Sequence, residues 1–433
     1  MLDTIAIAFW GIVLLGIIVF VHEGGHFLAA RLMGARVKEF MFGLPGPSIG
    51  FTFRGTRYGV TAIPLGGYAL IAGEGGEENP DLAKAYACLA YFGKVFSHDA
   101  ERMSQSLGFD LLAALESLES WMTVKVFKDK GRAVYYEMPE ATVDGRHYAQ
   151  GEPRPVSASE AEAHIDAERS HTFNGKPWWR RVVILLAGSI MNLFFAMVVF
   201  TAALMFVGVS APSTTIDTVV EDTPAALAGL EPGDKILAID QVAFASWDEL
   251  LQGVASHEVG ETVTLEFERR GLVRQASVTF AANASGGPMI GITPHPEGVK
   301  LSFTDAAATS VGLIPMVTEA ILKLFNPATA GETISQSTSI VGVAYEARNA
   351  VLSGFPAFIV LAAALSVSIG ILNLLPLPPL DGGKIVIETI QRVTRRIIPV
   401  RIVNGISLTC LVLMGILFVV LTNQDIQRYI IGG

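Results

Sequence analysis

Five consecutive residues inside the first long apolar stretch, His22-Glu23-Gly24-Gly25-His26, have the types and spacing needed for metal-dependent hydrolysis. Residues four apart share one helical face, so both imidazoles can reach one cation, and Glu23 stands beside any water at that cation. Chance produces a His-Glu-x-x-His only about 0.01 times in a chain of this length. Each ionisable side chain in a membrane segment costs about 2.5 kcal/mol or more, so three within five residues are poor packing material. The bland alternative is a polar seam that satisfies itself between helices.

Two imidazoles leave zinc short of the three protein ligands of a catalytic site. The best third candidate is Asp381, in the run Asn373-Leu374-Leu375-Pro376-Leu377-Pro378-Pro379-Leu380-Asp381-Gly382-Gly383. Depth supports it: His22 lies about 17 residues along one inward-running helix, and Asp381 ends another. Pro376, Pro378 and Pro379 cannot sit in a regular helix, so the backbone here is open and must line a cavity or a substrate. The competing reading of Asp381 is a cap for the helix that follows.

These groups must be positioned by membrane helices. Of the 433 residues, 51% are hydrophobic and only 17% charged, where a soluble domain carries about 25% charge; the mean hydropathy is +0.46. A net charge of -10 opposes nucleic-acid binding, which calls for a basic surface. Two cysteines, Cys88 and Cys410, make neither a disulfide framework nor a Cys-rich metal site. Four stretches are long enough to cross a bilayer: 5–32, 182–209, 358–380 and 402–421. The first lacks a basic leader and an Ala-x-Ala cleavage site, so it reads as a retained helix rather than a signal peptide. Arg31, Arg36 and Lys38 follow the first helix, Lys176, Arg180 and Arg181 precede the second, and five basic residues from Lys384 to Arg401 separate the third and fourth. That bias places 34–177 and 383–400 in the cytoplasm and 210–355 and both termini outside.

The expected organisation is a multi-pass α-helical membrane protein with four transmembrane helices. Residues 1–35 form the first, and 36–75 a membrane-associated β-hairpin region broken by glycines and ending in Pro64-Leu65-Gly66-Gly67-Tyr68. Residues 79–138 read as a cytoplasmic winged-helix-like insert: helices at 82–96, 98–107 and 109–121, then strands at 123–127 and 133–137 around the turn Lys128-Asp129-Lys130-Gly131. The helix that would read DNA carries Asp110, Glu116 and Glu119 and no base, which points to a protein contact or spacer. Residues 139–175 read as an acidic linker with one helix in it, 178–209 as the second membrane helix, 300–355 as amphipathic connecting helices, 356–383 as the third membrane segment and 400–422 as the fourth. Between them, residues 213–295 carry strands at 215–220, 235–239, 262–268 and 276–280 and helical pieces at 224–228 and 247–255. The segment from Ala228 to Asp240, with Gly233-Asp234 turning into a strand, resembles a bacterial PDZ signature, a fold that binds peptides by adding a strand to a sheet edge.

With both motifs in hand, the chain resembles the site-2 proteases, zinc intramembrane metalloproteases, in particular the bacterial regulator-of-sigma-E type. The likeness covers His22-Glu23-Gly24-Gly25-His26, the Asn-x-x-Pro-x-x-x-Leu-Asp-Gly run, the glycine-rich β region, the approach Phe173-Asn174-Gly175-Lys176-Pro177-Trp178 and the outer PDZ-like domain. It implies that His22, His26 and Asp381 bind Zn2+, that Glu23 is the general base, and that Asn373, with Pro376 and Pro378, meets the substrate backbone. Implied substrates are transmembrane segments, such as those of anti-sigma-factor-like proteins or signal-peptide remnants, and the implied location is the bacterial cytoplasmic membrane. A peptide or protein ligand is expected for the PDZ-like domain, and a protein partner of unknown identity for the insert. Five positions depart from the family pattern: Gly24 replaces a bulkier residue, Lys384 a His, Ser189 a Pro, and Ser339-Ile340 a Gly-Pro pair. The rival from another class is a catalytically idle membrane scaffold that holds partners through its PDZ-like domain and insert. A small-molecule transporter ranks lower, because four helices without an internal repeat suit alternating access poorly.

Overall fold

In the computed structural model, the described residues are 2–63, 66–74, 79–128, 134–283, 286–396 and 398–428. Pro64, Leu65 and the turn from Asp129 to Gly131, both singled out in the sequence, lie outside them. The chain divides into two compact units, residues 1–199 with 310–433 and residues 200–309.

The first unit opens with α1 (Leu2–Leu32), apolar over almost its whole length, so intrahelical hydrogen bonds satisfy a backbone that lipid cannot. Four strands follow: β1 (Val37–Phe42), β2 (Ser48–Phe53), β3 (Thr56–Thr61) and β4 (Gly67–Ile71). They form one sheet in the order β2-β3-β1-β4. Only β2 and β3 make a tight hairpin, and its two turn residues, Arg54 and Gly55, both have positive φ, as a two-residue primed turn requires. The expected succession of hairpins is thus corrected, because β1 and β3 pair in parallel at the centre of the sheet. Strand β2 is an edge whose Ile49, Phe51 and Phe53 are exposed.

The insert contains α2 (Leu82–Phe92), β5 (Lys94–Phe96), α3 (Ser97–Leu107), α4 (Leu111–Ser120), β6 (Lys125–Lys128) and β7 (Val134–Glu137). The first of these helices ends four residues earlier than its apolar run suggested, at Gly93 with φ 71°, and the remainder pairs as a strand in the sheet β5-β7-β6. Residues 139–175 are not a loose linker. A short hairpin, β8 (Ala141–Val143) with β9 (Arg146–Tyr148), leads to α5 (Ala158–Arg169), whose N-terminus is closed by a capping box between Ser157 and Glu160. Ala161 and Ile165, one turn apart, complete the core built on Leu89, Leu111, Leu115 and Leu118. The one helix expected in this acidic stretch is thus present, and its two inward-facing apolar residues pack it onto the insert. The insert is fastened to the strand sheet by ion pairs Arg36–Glu168 and Lys38–Glu119. Burial pushes the Glu168 carboxyl up, but the Arg36 guanidinium outweighs it and holds the group below its ordinary value. The long apolar helix α6 (Trp178–Phe206) follows.

The second unit holds β10 (Val209–Val219), α7 (Pro224–Leu227), β11 (Lys235–Ile239), β12 (Val242–Ala243), α8 (Trp247–Ala255), β13 (Thr262–Arg269), β14 (Leu272–Thr279), β15 (Ala281–Ala282), β16 (Pro288–Met289) and β17 (Ile292–Val299). The main sheet runs β14-β13-β11-β10-β17 over a core of Ile216, Ile236, Leu250, Leu265 and Phe280. Strand β17 was missed in the sequence because Pro294 and Pro296 lie within it, and its edge position explains how it tolerates them. Asp234, 1% exposed, accepts hydrogen bonds from Arg269 Nε and Nη2, both at 2.7 Å, and from the Glu231 amide. Burial opposes its ionisation, yet Arg269 and the amide hold its carboxyl below the ordinary value.

The remaining helices are α9 (Phe303–Lys323), α10 (Ala330–Gln336), α11 (Ile340–Ser353), α12 (Phe355–Asn373), α13 (Asp381–Thr394) and α14 (Val400–Ile426). Leu14, Ile18, Ala347, Phe358 and Ala362 pack α1, α11 and α12 together. Among the described residues, five helices rather than the expected four are long and apolar enough to cross a membrane, the addition being α9. The third expected span stops at Asn373, because the prolines that follow break the helix before α13 begins at Asp381.

Candidate metal centre

α1 carries His22 and His26 on one buried face, and α13 brings Asp381 to them from 359 residues away. His22 Nε2 lies 3.1 Å from His26 Nε2 and 3.1 Å from Asp381 Oδ2, and His26 Nε2 lies 3.2 Å from the same oxygen. Four ligands at zinc's bond length of about 2.0–2.1 Å stand roughly 3.3 Å apart at a tetrahedron's edges. The triangle of ligand atoms therefore has the size zinc needs. Its chemistry also fits. His26 Nδ1 sits 2.8 Å from the Ile184 carbonyl, which can only accept, so a neutral His26 ring keeps its proton there and turns a bare Nε2 toward the carboxylate. Lone pairs this close repel unless a cation lies between them.

Close backbone approach makes the room. An added Cβ at Gly188, on α6, would stand 2.4 Å from His26 Nε2 and 2.8 Å from His22 Nε2, and one at Gly25 would stand 2.2 Å from the Ala187 carbonyl oxygen. Glycine at both positions lets α1 and α6 cross with no side chain filling the ligand space. The same holds for the third ligand: a Cβ at Gly382 or Gly383 would strike the backbone of Leu374 or of Leu377 and Pro378. The glycine pair lets the start of α13 tuck under the proline-broken segment and present Asp381. The Asp381 carboxylate is directed at the two imidazoles.

Glu23 is held from outside its own helix. Its Oε2 accepts the Ala69 amide of β4 at 3.0 Å, and Ala69 stands opposite Phe40 of β1 in the sheet. The β region thus fixes the orientation of the glutamate. Lys384 Nζ reaches Glu74 Oε1, just past β4, at 3.0 Å and Asp381 Oδ1 at 3.9 Å, which ties the same strand to α13. Asn373 ends α12 partly exposed, Pro376 is exposed and Pro378 buried. Nothing in the sequence singled out Ala69, Gly188 or Asn192, although the last stands on α6 with its amide nitrogen 3.5 Å from His22 Nδ1. An Asn one turn from a Gly in an apolar helix was the available signal.

Two histidines, a carboxylate and a neighbouring glutamate, enclosed by helices long and apolar enough to span a bilayer, define a metal-dependent hydrolase that works within the membrane. Residues 10–417 match the profile of peptidase family M50, and the chain belongs to that family, the site-2 proteases. It is a multi-pass membrane protein and an intramembrane zinc metalloendopeptidase. Among its relatives, the zinc metalloprotease RasP of Geobacillus kaustophilus is 27% identical, covering 99% of this chain and 100% of that one. The Lactococcus lactis protein LL2128 is 28% identical over 96% of this chain and 97% of its own length. A solved PDZ domain of an SdrC-like protein from Listeria monocytogenes is 33% identical, covering 20% of this chain and 90% of that one, with a TM-score of 0.18.

Proposed function

We propose that His22, His26 and Asp381 hold the zinc, that Glu23 is the general base, and that the substrate is a transmembrane segment cut while extended along β4. The single observation that carries this reading is the convergence of three buried ligand atoms within 3.2 Å of one another beside a glutamate. Bound zinc supplies Lewis-acid activation of water and of the scissile carbonyl. Glu23, steadied at Oε2 by Ala69, takes the proton of the attacking water and delivers it to the leaving amine. A membrane helix hides its carbonyls in internal hydrogen bonds, so the substrate must unwind locally. The Ala69 amide points away from β1 toward Glu23, so the free edge of β4 lies beside the general base and can pair with an extended peptide. Asn373, Pro376 and Pro378 line the opened segment that offers polar groups to the same peptide. The test is cleavage in reconstituted vesicles. A membrane-spanning peptide is expected to be cut, spared after chelation and cut again when zinc is restored, and cutting that chelation leaves unchanged would refute the reading.

Of the five apolar helices, four are read as crossing the bilayer. α9 carries Asp305, Glu319, Lys323 and an internal Pro315 and is less apolar than the others, which suits a helix lying at the interface. An even number of crossings agrees with the Lys and Arg bias that puts both termini outside the cytoplasmic membrane of a bacterium. Cysteine reporters in residues 213–295 are expected to label from outside and those in 79–170 only from inside; the reverse pattern would overturn the depth argument for Asp381.

Residues 213–295 are read as a PDZ-like domain that binds a peptide and governs which substrates reach the membrane site. Removing 215–294 is expected to leave zinc content unchanged and to alter the set of full-length membrane proteins cut. An identical set would exclude that role. The order helix, strand, helix, helix, strand, strand in residues 82–137 supports the winged-helix-like reading of the insert. Its Glu119, on the helix that would face DNA, is committed to Lys38, in keeping with protein contact rather than nucleic-acid binding.

A further inference from the structure

The two zinc ligands on α1 are braced differently. His26 has a backbone carbonyl at its Nδ1, whereas the group at His22 Nδ1 is the side-chain amide of Asn192, whose nitrogen lies 3.5 Å away. Asn192 is fully buried, its Oδ1 has no hydrogen-bond partner among the described residues, and its main-chain carbonyl accepts from Ser366 of α12 at 3.1 Å. It stands one helical turn beyond Gly188, the residue whose missing side chain opens the ligand space. In this orientation Nδ2 could donate only to a His22 ring protonated at Nε2, whose proton would then face Asp381 Oδ2, 3.1 Å from Nε2. That tautomer cannot bind a cation through Nε2. Turning the amide by half a rotation exchanges its two ends, which occupy nearly the same space, and brings Oδ1 to His22 Nδ1.

We propose that Asn192 is a positioning residue for His22, accepting the Nδ1 proton through Oδ1 and thereby holding the ring in the tautomer whose bare Nε2 faces the metal. The amide has one orientation for each tautomer of His22, and the zinc-binding tautomer requires the one that puts Oδ1 at Nδ1. Outer partners of metal-bound histidines commonly change metal affinity about 10–100-fold when removed. The proposal rests on the zinc-site reading above.

The experiment measures zinc affinity of the purified full-length protein by competition with a chelator of known affinity, with elution volume and thermal unfolding as checks of folding. Wild type and Asp381→Ala come first: equal affinity in these two would sink the zinc-site reading itself and leave the role of Asn192 without a subject. With that reading standing, Asn192→Ala, which removes the acceptor without adding bulk, is expected to bind zinc about 10–100-fold more weakly. Asn192→Asp, an acceptor with no proton to donate, is expected to bind at least as tightly as wild type. A folded Asn192→Ala protein with wild-type affinity overturns the proposal. So does Asn192→Asp weakened as much as Asn192→Ala, because a merely structural amide would be disturbed alike by both changes. If only Asn192→Asp folds, its affinity alone decides: retention supports the acceptor role and loss refutes it.

Discussion

With Glu23 replaced by glutamine, the purified protein is expected to keep its zinc and to lose cleavage of a membrane-spanning peptide by about 10²–10⁴-fold. The two side chains have nearly the same shape. The Ala69 amide that now meets a carboxylate oxygen at 3.0 Å can meet the amide oxygen of glutamine in its place, so the β4 contact survives. What disappears is a group able to take the water's proton and return it to the departing nitrogen. Zinc content and turnover measured on the same preparation separate the two effects. Turnover near wild type would remove Glu23 from the mechanism. Loss of zinc along with turnover would instead mark Glu23 as part of the ligand set. Comparing membrane proteins from cells with the two forms would then identify natural substrates as fragments that vanish with Glu23→Gln.

The second large effect is expected on the metal itself. Wild-type protein should hold about one zinc per chain, and His22→Ala, His26→Ala and Asp381→Ala should each reduce it toward zero, since two remaining ligands do not make a site. Gly188→Val should do the same without touching a ligand, because even its first carbon would stand 2.4 Å from His26 Nε2. Gly24→Ala is the matched control: one residue from Glu23, its added carbon meets nothing within 4 Å, and zinc should stay. Elemental analysis of the five variants decides the matter. Full occupancy in Asp381→Ala would exclude the carboxylate as third ligand, and full occupancy in Gly188→Val would show that α6 does not confine the metal space.

Much of this site was legible in the sequence, for a physical reason that differs from one residue to the next. His22 and His26 belong together through helical geometry alone, since one turn separates them wherever the helix lies. Asp381 was reached by a longer argument, from depth in the membrane and from prolines that must break a helix. The PDZ-like strands at Lys235–Ile239 and Thr262–Arg269 stood out as short strand-like runs, the first an apolar run and the second alternating, whereas β17 hid behind its prolines. In the insert, Gly93 stopped a helix whose apolar pattern ran on to Phe96. The acidic linker was expected to hold one helix and α5 supplies it, but its two buried residues are too few to show from the sequence that it packs into the core of the insert.

By itself, then, the sequence determined the chemistry: which side chains are present, which of them one helix turn unites, and that apolar helices must surround them. The tertiary structure alone decided how that chemistry is held. The parallel pairing of β1 with β3, the Ala69 amide on Glu23, the Ile184 carbonyl on His26 and the approach of Gly188 and Asn192 all join residues far apart in the chain. Such contacts have no local period to betray them. They arise where packed helices and strands leave a buried donor or acceptor that must find a partner, or a gap that only glycine can leave open, and the packing of the whole unit determines where those places fall.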